Sequence, residues 1–411
     1  MLIEQTTIDG VPTPKPVKKI EGSVAVAGDK DTWIWHKDFD NDLVGIPGLT
    51  EQARQEVLTT AWEYSRNIIP HYTNWERFSC WVRFMIIGIL AEYEGSVLDI
   101  AMSDKQLGYN VEELLNTMLR DRPGAEEMKR EYRAFLLVTA DKCSDRRDSA
   151  LFRRYVDHLA RDPKQWFRAR DCDALARFTI AAALCANDVD DIWFTEDQLE
   201  VLAEIGVTLY DAVAFFKHRS EGETNNTFAY VNPKHRGDAY KRAREVLWAF
   251  DAAWGSDPKK LIAINFIRPF GGPLHMTMRR YRYVEDGMRI GKEEDKDTVD
   301  KTRQNYKLWH RVELRDDYDP QEERYRQIIA DKKRLLYPGL AEALEREDDA
   351  SRCGKCKFRK TYGTTAIGEF GGVKLCEGCE DKYIEHAESL TARAVAAFPE
   401  LLTHSQLRLK Y

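Results

Sequence analysis

The chain has 411 residues, with 62 Lys and Arg against 69 Asp and Glu and a formal net charge of −7. That length allows two or three average domains, or one large helical body with an appendage. The acidic balance argues against bulk nucleic-acid binding, which calls for a basic domain or stripe, and the longest apolar run, 82–90, is too short to span a bilayer and carries Arg83.

Residues 1–30 hold prolines and charges without a steady period or an apolar core, so they read as a flexible tail and not as a secretory signal. A cytoplasmic protein is therefore expected, and eight cysteines suit a compartment that keeps thiols reduced. From 31 to 345 the pattern is helical, with apolar residues recurring at three- and four-residue spacing in 52–67, 78–100, 127–141, 150–160, 174–186, 196–218 and 241–254. Breakers such as Arg122-Pro123-Gly124, Asp162-Pro163 and Asp257-Pro258 separate them. The expectation is an all-α body. Aromatic residues make up 11%, including ten Trp, which suits a packed core and equally a cavity that holds a cation against ring faces.

Three acidic groups fall along these helices. The apolar run 78–100 ends in Glu92, Glu94 and Asp99, with Glu92 and Asp99 on one helix face at i, i+7. Asp141, Asp145 and Asp148 form a second group, and Asp188, Asp190 and Asp191 a third. Each offers hard oxygen ligands for magnesium, and each is equally an ordinary solvated helix end. Arg177 and Thr179 lie in the helix 174–186. The helix 196–218 ends in a polar cluster containing Tyr210, Asp211, Lys217, His218 and Arg219, followed by Gly222, Glu223 and Asn226. Arg279, Arg280, Tyr281 and Arg282 follow downstream, before a charged stretch at 285–300.

Beyond 345 the composition shifts. Cys353-x-x-Cys356 and Cys376-x-x-Cys379 are separated by nineteen residues, and a helical pattern returns near 381–398. Two CxxC turns complete a tetrahedral four-thiolate zinc set, and a full thiolate shell leaves no open position for water, so the expected zinc is structural. The expected organisation is a tail at 1–30, a helical domain at 31–345 and a four-cysteine zinc element with a C-terminal helix at 346–411.

The order of these pieces resembles class I terpene cyclases. In that family an Asn, a Ser and a Glu at i, i+4 and i+8 hold magnesium on the substrate diphosphate. Here those positions fall on Tyr210, Ala214 and His218, while Asp211, Lys217, Glu223 and Asn226 keep the flanking pattern. Arg177 stands where the family has a diphosphate-sensing arginine, and Arg280 and Tyr281 where an Arg-Tyr pair closes over diphosphate. No DDxxD motif is present; Glu92 and Asp99 lie where it is expected.

A narrower resemblance covers nearly the whole chain outside the tail. The stretches AWEYSRNIIPHYTNW, WFRARDCDALARFTIAAALCANDVDDIWFTEDQ, LYDAVAFFKHRSEGETNNTFAY and FGGPLHMTMRRYR, with the CxxC pair, are similar to the fungal α-ionylideneethane synthases, sesquiterpene synthases of abscisic acid pathways. The resemblance implies a class I terpene-synthase-like helical bundle acting on farnesyl diphosphate with Mg2+. Its implied diphosphate grip is Arg177, Lys217, Arg219, Asn226, Arg280 and Tyr281, and its implied magnesium carboxylates are Glu92, Asp99 and Asp211. Trp81, Phe84, Tyr93, Phe178 and Tyr210 are candidate rings for the cation. A route through neutral trienes needs deprotonation and reprotonation, for which His218 titrates in a useful range; His218, Tyr210 and Asp211 are thus the expected catalytic set. A non-catalytic zinc-stabilised interaction protein and a prenyl-diphosphate transferase are the competing classes. No membrane span and no nucleic-acid partner are expected, and the sequence leaves the oligomeric state open.

Overall fold

The structure, a computed structural model, describes residues 33–159, 162–220, 223–278, 321–346, 353–358 and 369–404. The expected tail, the stretch 285–300, Arg280, Tyr281 and the side chain of Asp148 lie outside the described residues. Eighteen α-helices, six short 3-10 helices and two short antiparallel strand pairs make up the regular structure among the described residues, so the body is helical as the periodicity predicts.

Helices α1 (Glu51–Ile68) and α2 (Trp75–Tyr93) start at Thr50 and Asn74, whose side-chain oxygens accept from Ala53 N at 3.2 Å and Arg77 N at 3.0 Å. Each satisfies an amide that a first helical turn leaves open. A hairpin, β1 (Lys105–Gln106) and β2 (Tyr109–Asn110), leads into α3 (Val111–Leu119) and α4 (Ala125–Lys142), then α5 (Ala150–Leu159). Asp162 caps α6 (Pro163–Asp173), which has proline at its first position, where no amide is needed. Then come α7 (Ala176–Ala186), α8 (Glu196–Val213) and α9 (Phe215–Ser220). Thr195 and Gln198 form a reciprocal capping box at the start of α8. Helices α10 (Arg236–Trp254), α11 (Pro258–Asn265) and α12 (Pro273–Thr277) follow, then α13 (Glu322–Ala330), α14 (Lys332–Leu335) and α15 (Pro338–Glu345). The C-terminal part has a hairpin, β3 (Lys357–Phe358) with β4 (Val373–Lys374), and α16 (Glu377–Glu388), α17 (Leu390–Ala397) and α18 (Glu400–His404).

Two helices are central. Helix α2 is apolar nearly all round and packs against α1, α3, α4 and α7; α8 packs against α6, α7, α10 and α17. Trp81, Phe84, Ile86 and Ile87 of α2 are fully buried, each worth roughly 1.5–3 kcal/mol of apolar burial. Among the described residues no helix is long and apolar enough to cross a membrane.

Three helix ends position the site. Helix α2 stops at Tyr93 because the chain must pass close to α4: a Cβ on Gly95 would meet Ala140 O at 2.0 Å, and Gly95 N–H donates to Cys143 O at 3.0 Å. The expected helix to residue 100 is therefore broken, and Glu92 and Asp99 do not share a helix face. Between α6 and α7, Leu175 takes left-handed backbone angles (φ 54°, ψ 31°) and turns the chain sharply. Between α8 and α9 the bonds Ala214 N to Tyr210 O (2.8 Å) and His218 N to Ala214 O (2.9 Å) carry the helical pattern through the junction. Tyr210 and His218 thus stay on one side, their ring centroids 5.5 Å apart.

Candidate functional site

A cavity of about 110 Å³ opens where α1, α2, α4, the α6–α7 turn, α8, and the α9 end converge. Its apolar lining includes Met85, Ile89, Phe135, Leu175, Val207 and Phe270. Gly88 leaves room there for the Phe135 ring, which would lie 3.1 Å from an added Cβ. Its polar lining is Glu92 from α2, Lys142 at the end of α4, Arg170 and Asp173 from α6, Tyr210 from α8, Lys217 and His218 from α9, and Glu223 and Asn225 just beyond it.

The charged groups are paired. Lys142 Nζ lies 2.8 Å from Asp173 Oδ1 and 3.7 Å from Glu223 Oε2. Arg170 reaches Asp173 Oδ2 at 2.8 Å through Nη1, and it donates to both oxygens of Asp211 at 2.7 and 3.1 Å. Asp211, fully buried, also accepts from Thr227 N (2.7 Å) and Thr227 Oγ1 (2.8 Å). Burial pushes the Asp211 carboxyl up, and Arg170 and Thr227 pull against it. Burial also works against the Glu223 anion, but Lys142 above all, with Arg147 and the Asn225 N–H among the further contributions, holds the carboxyl well below the usual range. Lys142 is desolvated too, and Asp173 and Glu223 keep it charged.

His218 is buried and neutral: burial, then the Lys217 charge, push its pKa well below the ordinary value. Asn226 fixes its tautomer. Phe228 N donates to Asn226 Oδ1 at 2.9 Å, which turns the amide NH2 toward His218 Nδ1 at 2.8 Å. Nδ1 is then the acceptor, and the single ring proton sits on Nε2. Tyr210 stands between His218, Phe270 and His275, with ring centroids 5.5, 5.5 and 4.8 Å away.

The structure brings Glu92, Tyr210, Lys217 and His218 to this cavity, with Asp211 and Asn226 directly behind them. Asp211 is occupied by Arg170 and Thr227 and is absent from the lining. Arg177 is elsewhere: its guanidinium pairs with Asp171 and Glu196, both at 2.6 Å. Asp99 lies beyond the end of α2 and pairs with Arg324 at 3.3 Å. Arg219 stacks on Phe215 and Phe216, 5.0 and 5.2 Å from the ring centroids. Trp81, Phe84 and Phe178 belong to the core, not to the lining.

Asp141, from the second acidic group, and the three aspartates of the third are held in ion pairs. Asp141 is buried between Arg146 (2.9 Å) and Arg324 (2.8 Å). Asp188 pairs with Arg77 at 3.0 Å, Asp190 pairs with Arg77 and Arg122, and Asp191 pairs with Lys259 at 2.6 Å. Lys142, Arg170 and Asp173 were not legible as site residues. Their one sequence signal is a Lys, an Arg and an Asp embedded at the ends of apolar helices, where a charge needs a buried partner.

A second constellation lies in the C-terminal part. One sulfur from each of Cys353, Cys356, Cys376 and Cys379 lies within 4.8 Å of the others. Cys353 Sγ and Cys376 Sγ are 3.7 Å apart; a tetrahedral four-thiolate zinc shell has sulfurs about 3.8 Å apart, from Zn–S bonds of about 2.3 Å. Cys376 N–H donates to Cys356 Sγ at 3.3 Å, as in a knuckle that stabilises thiolate charge. The four cysteines thus form a set able to bind a metal ion.

Comparison with known proteins adds an independent line. Residues 31–400 match the family described as alpha-ionylideneethane synthase aba3. The chain is 50% identical over 404 residues to the alpha-ionylideneethane synthase aba3 of Botryotinia fuckeliana, covering 98% of this chain and 91% of the relative. It is 49% identical over 383 residues to the alpha-ionylideneethane synthase abl3 of Leptosphaeria maculans, covering 93% and 89%. It is 43% identical over 433 aligned positions to the abl3 of Pyricularia oryzae, covering 90% and 83%.

Proposed function

This chain belongs to the α-ionylideneethane synthase family, and from that premise we propose that it is a sesquiterpene synthase which ionises farnesyl diphosphate and closes an α-ionylideneethane-type hydrocarbon. The reading places it among class I terpene synthases, with a helical domain at 31–345, a tail at 1–30 and a zinc element at 346–411. The observation that carries it is one cavity in which an apolar lining meets Lys142, Arg170 and Lys217. An isoprenoid diphosphate has the same two parts.

In this reading Arg170, Lys142 and Lys217 grip the diphosphate, and the Nε2–H of His218 adds a neutral donor. Asp211 holds the Arg170 guanidinium, so it acts through Arg170. The rings of Tyr210, Phe135 and Phe270 face the allylic cation. The lining carries three cations, Lys142, Arg170 and Lys217, against three carboxylates, Glu92, Asp173 and Glu223. It has no surplus positive charge to neutralise an incoming diphosphate. The donor set fits magnesium, a hard cation that takes carboxylate, phosphate and water oxygens; Glu92 is the first choice to hold it, then Asp173 and Glu223. Bound there, magnesium would neutralise charge on the departing diphosphate.

The route through neutral trienes needs a base and then an acid. His218 suits that task poorly, because Asn226 occupies its Nδ1 and the environment keeps it neutral. The departing diphosphate, gripped beside the cation, is the base this cavity supplies, and in its protonated form it is the acid that returns the proton to the triene. Zinc is the metal we assign to the four-cysteine set, from its soft thiolates and their spacing. Its closed shell would supply structure and no chemistry.

The test is direct. Purified protein with farnesyl diphosphate and magnesium should release diphosphate and a cyclic C15 hydrocarbon, read by gas chromatography of a pentane extract. A longer prenyl diphosphate would make the protein a transferase. No consumption of substrate would sink the proposal.

A further inference from the structure

The four-cysteine set and the cavity are joined by backbone. Cys356 directly precedes β3, and Cys376 follows β4 by two residues, so an ion held by these thiolates pins both strands of the hairpin. The chain entering β4 lies against the loop that carries Glu223. Gly371 N–H donates to Glu223 O at 3.0 Å. Phe370 is buried with its ring edge-on to Phe215, centroids 5.4 Å apart, and Phe215 is the first residue of α9, which bears Lys217 and His218. Gly372 has φ +79°, and a Cβ there would lie 2.6 Å from Tyr230 Oη. This contact admits only glycine without a shift of one side or the other. Cys379 lies in the first turn of α16, the helix that seats Tyr383 on Tyr230 with centroids 5.8 Å apart.

Through its side chain Glu223 pairs with Lys142 in the cavity lining, Oε2 to Nζ 3.7 Å. The loop is therefore held between the cavity's cation and the cysteine-bound hairpin. Short hairpins are marginal by themselves, and this one has two residues per strand.

We propose that the metal in the four-cysteine site acts as a latch: by fixing β3 and β4 it holds residues 370–372 against the Glu223 loop, so the polar end of the cavity depends on an ion that touches no substrate. Gly371, Gly372 and Phe370 are positioning residues. The proposal rests on the zinc reading above and is independent of the identity of the prenyl substrate.

The experiment compares full-length wild type, Cys376→Ser and Gly372→Ala. Zinc content is measured by mass spectrometry, amide hydrogen exchange is followed across the chain, and binding of inorganic diphosphate with magnesium is titrated by calorimetry. Wild type should carry one zinc. Cys376→Ser should lose it, and exchange in peptides covering 223–231 should rise about tenfold, as local opening predicts, while α2 and α4 stay protected. Gly372→Ala should keep its zinc and show the same loosening of 223–231. Diphosphate affinity should fall about tenfold in both, which is about 1.4 kcal/mol. Zinc loss with faster exchange confined to 353–379 would overturn the latch, as would a Gly372→Ala loop as protected as wild type. If Cys376→Ser unfolds globally, α2 exchanges too, and Gly372→Ala decides alone. A wild type that binds no diphosphate would count against the synthase reading and leave the exchange result intact.

Discussion

Helix α6 carries two ion clusters, one on each side. Residues two apart on a helix point nearly opposite ways, so Arg170 and Asp173 face the cavity while Arg168 and Asp171 face away. On the far side Arg168 meets Glu131 at 2.8 and 2.5 Å, Arg177 meets Asp171 and Glu196, and the Arg168 guanidinium lies 3.7 Å over the Tyr337 ring. The void there is about 10 Å³, against about 110 Å³ on the cavity side. A space that small holds about one water. The same residue types at the same spacing therefore adjoin a space for about one water in one place and a larger cavity in the other. A buried arginine is a candidate for catalysis only if a void of substrate size adjoins it.

The far cluster gives the largest expected effect. Arg177→Met leaves Asp171 buried without its guanidinium, and breaking such a pair costs about 3–5 kcal/mol. The urea midpoint should fall accordingly, while KM for farnesyl diphosphate stays within about twofold in the folded fraction, since surface and structural changes away from a site leave binding intact. A large rise in KM with little loss of stability would erase the distinction between the two faces and return Arg177 to the substrate.

On the cavity face the order reverses. Lys142→Gln keeps size and hydrogen bonding but removes the charge between Asp173 and Glu223. Loss of one preorganised group facing the diphosphate is expected to lower kcat/KM about 10²–10³-fold, or about 2.7–4 kcal/mol. Diphosphate release measured at several substrate concentrations checks it. Unchanged turnover would make this cluster as purely structural as the other.

These two faces also explain what could be read in advance. The cysteine quartet was legible because its geometry is local: two knuckles of fixed spacing. The helices are legible from their apolar period, and Glu92, Tyr210, Lys217 and His218, which line the cavity, stand out in the sequence as polar residues on or near helix ends beside apolar runs. Arg177 and Arg170 stand in one string, RARDCDALAR, and nothing in it says which faces the void. The left-handed turn at Leu175 decides that, and leucine is not a residue that announces such a turn. Asp99 was misplaced for a similar reason: Gly95 ends α2 because of a close approach to Ala140, a contact 45 residues away in sequence. Lys142 had no motif at all. Its partners, Asp173 and Glu223, belong to other elements.

The cavity side also holds imidazoles, His218 in the lining and His275 behind Tyr210, whose charge depends on pH. His275 lies against Tyr210, and burial, with Lys217, pushes its pKa down to about 3. In the unfolded chain a histidine titrates near about 6.5. Between those values the unfolded state binds a proton that the folded state does not, so stability falls as pH drops below 6.5, by about 1.4 kcal/mol per pH unit for this group. His275→Gln should flatten the loss between pH 6 and pH 5 by about that amount in urea unfolding. An unchanged slope would mean that His275 is charged in the fold.

The smallest effect is expected at His218, and it separates two mechanisms. If the imidazole relays protons, His218→Gln should stop at an acyclic farnesene, because glutamine cannot accept and return a proton. If it is a neutral donor held by Asn226, glutamine supplies an N–H of similar reach, and activity should stay within about tenfold, under about 1.4 kcal/mol. The product should then be the same hydrocarbon. The geometry favours the donor: the Asn226 amide is locked by Phe228 N and offers its NH2 to Nδ1. Protonating Nδ1 would set two donors against each other at 2.8 Å, unless the amide turned over and gave up Phe228. Asn226→Asp replaces that donor by an acceptor and should raise the pKa of His218. If that variant makes turnover newly dependent on pH between 6 and 8 while wild type is flat, the neutral imidazole is the working form. A wild-type rate that itself rises and falls through that range would restore His218 as the acid–base group.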